Sequence, residues 1–153
     1  MRTARYQGTG ERTMLKRLRN QCGAALIETA ITIPLVLLVS VSIFEFGRAY
    51  QTWQVLTNAA REGARIAVLP DYTDAMVTST VRTYLTSGRL SNPNAASIIV
   101  VRNVPFGTTT ASRITVNYPF NFIVLNPVAR LVRSGSTVGT PLTMQSSALM
   151  RNE

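Results

Sequence analysis

The segment Ala24–Phe44 constrains this chain more than any other. It holds twenty-one residues whose only charge is Glu28, and the sixteen from Thr29 to Phe44 carry none. About 20 apolar residues in a helix cross the hydrocarbon of a bilayer, so the segment predicts a membrane span. Pro34 removes one helical hydrogen bond and predicts a bend, which membrane helices tolerate. Glu45 and Arg48, three apart, mark the exit into water and can pair across one turn. The residues before the span set its direction. Arg2, Arg5, Arg12, Lys16, Arg17 and Arg19 stand against Glu11 alone, and a basic cluster directly before an apolar span holds that end in the cytoplasm. The whole chain carries a net charge of +9, which would suggest nucleic acid. The charge beyond the leader is scattered, however, and does not interleave with aromatics as in nucleic-acid modules, so no nucleic-acid partner is expected.

Residue types narrow the chemistry further. The chain has no histidine and one cysteine, Cys22. Cys/His zinc sites, histidine acid–base catalysis and an intramolecular disulfide are thereby excluded. A lipid-bearing cysteine would follow an apolar segment, whereas Cys22 precedes it. Asp71 and Asp74 could imitate a carboxylate pair or cation site, but beside Pro70 and ahead of a helical pattern they read as caps. No cofactor, metal or catalytic residue is expected.

The helical period continues past the span. Ala49, Trp53, Leu56, Ala60, Ala64 and Ala67 recur at spacings of three and four, and no proline intervenes before Pro70. One helix from about Ala24 to about Val68 is predicted, roughly 65–70 Å long. Asn58, Arg61, Glu62 and Arg65 form its solvated face. Ala59, Ala60, Gly63 and Ala64 let another backbone approach, from the chain's own sheet or from a neighbouring subunit. Gly63 inside a helix costs up to about 1 kcal/mol against alanine, so close packing explains it best.

Beyond Pro70, Asp71 and Thr73 are cap-type residues, Val77, Val81, Tyr84 and Leu85 are apolar positions, and Gly88 ends a second helix. Ser97–Val104 reads as a strand continuous enough to be central. In "SRITVNYPF", Ile114, Val116, Tyr118 and Phe120 alternate with polar residues. Asn126 and Pro127 suggest the cap and first position of a short helix. A last strand puts Leu142, Met144 and Ala148 on one face. The fold class is α+β: a long N-terminal helix packed on a small antiparallel sheet of about three strands.

A basic leader ending in Gly23, an acid at the fifth position after it and an apolar helix running into a small β-containing domain together resemble the type IV pilin-like proteins. "EFGRAYQTWQVLTNAAREGARIAV", Glu45–Val68, and the closing "SSALMRNE" are similar to the TadE-like pseudopilins of the Flp/Tad (type IVc) pilus systems. The resemblance implies a pilin-like fold and cleavage by a prepilin peptidase between Gly23 and Ala24. It also implies a single pass through a bacterial inner membrane: leader 1–23 in the cytoplasm, membrane helix 24–46, periplasmic domain 47–153. The implied partners are the peptidase, other pilins or pseudopilins, the inner-membrane assembly platform and membrane lipid.

Cutting there would leave the Ala24 ammonium one helical turn from Glu28. A lone carboxylate in the apolar phase costs on the order of 2.5–3.5 kcal/mol, which that ammonium, on the same or a neighbouring subunit, can offset. The implied role is a minor pseudopilin, a substrate rather than an enzyme, needed for a pilus used in surface adhesion and biofilm formation. The alternative is a single-pass inner-membrane accessory protein of a secretion complex that enters no filament. An exported hydrolase fits poorly, because no Ala-x-Ala site follows the apolar run and no histidine activates the hydroxyls.

Overall fold

The computed structural model describes residues 9–132 and 139–152, with side chains from Gly23 onward within them. The leader's arginines and lysine, Glu11 and Cys22 lie outside the residues whose side chains are described. The chain divides into two compact units, Met1–Ser42 and Ile43–Glu153. Helix α1, Thr9–Ala67, runs through both. It starts some fifteen residues before the expected position, because the Arg, Lys, Leu and Met of "ERTMLKRLRN" are good helix formers. Pro34 lies inside it without ending it.

In the first unit the side chains from Ala24 to Ser40 are all exposed. The hydroxyls of Thr29, Thr32, Ser40 and Ser42 each donate to the carbonyl four residues back, at 2.7–2.8 Å. Such back-bonding satisfies a hydroxyl where no water is at hand.

The second unit contains the rest of α1, then α2 (Asp74–Ser87), β1 (Ser97–Phe106), β2 (Thr109–Phe120), α3 (Leu125–Val132) and β3 (Leu142–Arg151). The three strands form an antiparallel sheet in the order β1-β2-β3. The α+β arrangement of helix on three strands is therefore as expected. The position of β1 is not: it is an edge strand, and the central strand is β2. Ile99 and Val101 point outward and stay half exposed, so the β-branched run of β1 covers only one buried face. On β2, Ile114, Val116, Tyr118 and Phe120 are buried as their alternation predicts.

The buried line of α1 passes through Glu45, Ala49, Leu56, Ala59, Gly63 and Ile66, with Ala60, Ala64 and Ala67 beside it. Trp53, expected in this stripe, is 46% exposed, and its ring lies 6.1 Å from that of Tyr50. The line steps from Ala49 to Leu56 through half-buried Thr52, which rotates Trp53 off the core. From α2, Val77, Val81 and Leu85 complete the core, while Tyr84 stays partly exposed. Thr73 is the N-cap, its hydroxyl accepting from Met76 N–H at 3.4 Å, and Gly88 is the C-cap. A β-carbon on Gly88 would collide with Val55.

Arg102 ties these elements together. A register shift between Val101 and Val104, with Asn103 at φ 56°, marks a bulge at this point of β1. Its guanidinium donates to Asp74 Oδ1 at 2.6 Å and to the carbonyls of Ala67 and Tyr72 at 2.7 Å each. It thus closes the end of α1 and the start of α2 with one side chain.

Candidate functional site

Each part of the candidate site lies on α1. Gly23 is inside the helix, and nothing lies within 4 Å of where its β-carbon would be. Ala24 and Glu28 are exposed, one turn apart. The backbone carbonyl of Glu28 accepts from the Thr32 hydroxyl at 2.7 Å, but no described residue pairs with its carboxylate. Beside it, Thr29, Thr32, Ile33, Val36 and Leu37 line an open, largely apolar depression. Among the described residues, this is an acid without a partner on a bare apolar helix.

Ala59, Ala60, Gly63 and Ala64 behave differently, all being buried within the second unit. A β-carbon on Gly63 would stand 2.5 Å from Val81 Cγ2 and 3.3 Å from Ile114 Cγ2. The close neighbour is therefore the chain's own α2 and β2, and it is formed by side chains rather than by a backbone. Arg61 and Arg65 are exposed, and Arg65 chelates Glu62 at 2.6 and 3.0 Å. That hydrogen bond holds the Glu62 carboxyl below its ordinary value.

Glu45 does more than mark an exit into water. It is 5% exposed and accepts from Ile123 N–H at 3.0 Å to both oxygens and from Val124 N–H at 3.2 Å. These two N–H groups immediately precede α3, so a carboxylate from α1 satisfies backbone donors at the entry to that helix. Asn126, expected as the cap, lies within α3 instead. Arg48 sits 3.4 Å from Glu45 Oε2, donates to Asn121 O at 2.6 Å and places its guanidinium carbon 4.9 Å from the centre of the Phe120 ring. The adjacency of Glu45 and Arg48 to the span is visible in the sequence. The partners of Glu45 are not, since they are 78 and 79 residues away.

One exposed apolar helix, of mean hydropathy 2.2 over its best window and long enough to cross a membrane, continues into a helix-on-sheet domain. That combination is an α+β protein whose apolar helix is consistent with membrane association. Residues 23–65 match the family model described as TadE-like protein. The matched stretch opens at Gly23 and takes in Glu28, the Glu45–Arg48 pair and the small-residue seam. No curated protein and no solved structure matches the chain.

Proposed function

We propose that this chain is a minor pseudopilin of a Tad/Flp-type pilus. It is made with its leader in the cytoplasm, cut after Gly23 by a prepilin peptidase and inserted once in the inner membrane with residues 47–153 in the periplasm. It acts as substrate and assembly component, not as catalyst, and contributes to adhesion through the filament it helps to build. The observation that carries this reading is the unpaired Glu28 on a bare apolar helix, five residues after the glycine at which the TadE-like match begins. A glycine inside α1 also suits the cut, because it is the weakest helix former apart from proline and unwinds at least cost to enter a protease cleft.

The test is the intact mass and N-terminal sequence of the chain from membrane and sheared-pilus fractions. Processed protein begins at Ala24, and Gly23→Val retains the leader. Identical chains beginning at Met1 in wild type and variant would leave the accessory-protein reading in its place. Glu28→Ala makes the span more apolar, so membrane levels should hold while piliation falls sharply, because the new ammonium of a subunit loses its partner. Full piliation at normal membrane levels would show that Glu28 has no part in assembly.

A further inference from the structure

Among the described residues, little covers helix α3. It is eight residues long and buries none of them. A helix this short is marginal in water without packing on an apolar face. Its apolar residues nevertheless gather opposite Asn126 and Arg130, and Leu131 is 89% exposed. Just before it, Ile123 is 65% exposed.

The level at which α3 enters supplies the missing partner. Glu45, which holds the N–H groups of Ile123 and Val124, is the first charged residue after the apolar run. Next to it Phe44 is 80% exposed, and Phe46 meets Phe122 edge-on at 5.9 Å. Further along α1, the exposed pair Tyr50 and Trp53 lies about 7 to 12 Å beyond Glu45, so Tyr50 falls at the outer edge of a headgroup layer about 5–7.5 Å deep and Trp53 just beyond it. Aromatic residues of this type collect at the membrane–water interface.

We propose that Ile123, Val124 and the apolar face of α3 form a foot that lies in the outer interface of the bilayer that α1 crosses. A short amphipathic helix with its apolar face a few ångströms below the headgroups meets that description. Glu45 then has two functions: it caps α3 and sets the foot at the depth where the span ends. The occupant is lipid because the segment that opens α3 is tied to Glu45 and Phe46, the residues at which the apolar run ends. The inference rests on reading α1 as a membrane helix, so its test must report on both.

The full chain, with Trp53→Phe as background, is reconstituted in phosphatidylcholine vesicles whose acyl chains are brominated either near the headgroup end or near the terminal methyl. Single tryptophans are placed at Leu131→Trp, at Ile123→Trp, at Leu37→Trp in the span and at Thr108→Trp in the exposed hairpin turn at the far end of β2. Both foot tryptophans should lose roughly half or more of their emission to bromine near the headgroup end, as interfacial depth requires. Leu37→Trp should respond to bromine deeper in the chain, and Thr108→Trp to neither. The foot is overturned if Leu37→Trp is quenched while Leu131→Trp and Ile123→Trp behave like Thr108→Trp. Emission moving to shorter wavelength as the protein-to-lipid ratio rises, without quenching, would overturn it in favour of a neighbouring subunit. An unquenched Leu37→Trp removes the span and the foot together.

Discussion

Between Ala24 and Phe44 only Val41 and Ser42 of α1 are even partly covered, whereas between Glu45 and Ala67 the same helix buries a line of alanines, a glycine, a leucine, an isoleucine and one acid. Both halves are helical; the first carries the carboxylate of Glu28, and the second a buried one, Glu45, beside the solvated Glu62. Glu45 finds two backbone N–H groups and an arginine within its own chain, while Glu28 finds none among the described residues. In one half the fold supplies partners for the buried side chains, and in the other the described residues supply none.

The comparison can be broken most forcefully at Glu45. Replacing it by alanine strands two N–H groups, while Arg48 keeps its bond to Asn121, and should cost about 3 kcal/mol in urea denaturation of the detergent-solubilised chain. A loss below about 1 kcal/mol, the size of an exposed pair, would mean that the clasp is solvated after all and the two carboxylates are alike.

A smaller effect is expected at the glycines. Gly63→Ala drives a methyl against Val81 and Ile114 and should cost about 1–3 kcal/mol. Gly47→Ala meets nothing within 4 Å and should instead stabilise by several tenths of a kcal/mol, since alanine is the better helix former. Equal effects at the two positions would erase the contrast between packed and open helix faces.

The smallest effect belongs to Glu62. Its carboxyl is held below the ordinary value of 4.5 by the Arg65 hydrogen bond. A depressed folded value means that the stability from this pair is present above the unfolded value and is lost as pH falls through the folded one. The loss should fall below about pH 4.5 and amount to a few tenths of a kcal/mol, because the pair is solvent-screened. Comparing acid denaturation of Glu62→Gln with wild type measures it, and a difference above about 1 kcal/mol would mark Glu62 as buried in an assembly contact.

Periodicity alone was enough for the continuation of α1, the core positions Val77, Val81 and Leu85, and the alternating face of β2. Each depends only on which residues recur on one side of a regular element. The small residues around Gly63 likewise announced close packing, because glycine inside a helix needs a reason. Which neighbour comes close was decided by the tertiary structure, as was the exclusion of Trp53 from the stripe at a step too small for a spacing pattern to resolve. Strand order was equally hidden: β-branched runs suit central and edge strands alike, and only the pairing of β2 on both sides makes β1 an edge. The deepest gap lies at Glu45. A carboxylate three residues before an arginine reads as a surface pair at a membrane exit, and its sequence neighbours say nothing more. Its role as the cap of α3 exists only once folding has brought the backbone N–H groups of Ile123 and Val124, just past the end of β2, to within 3.0–3.2 Å of it.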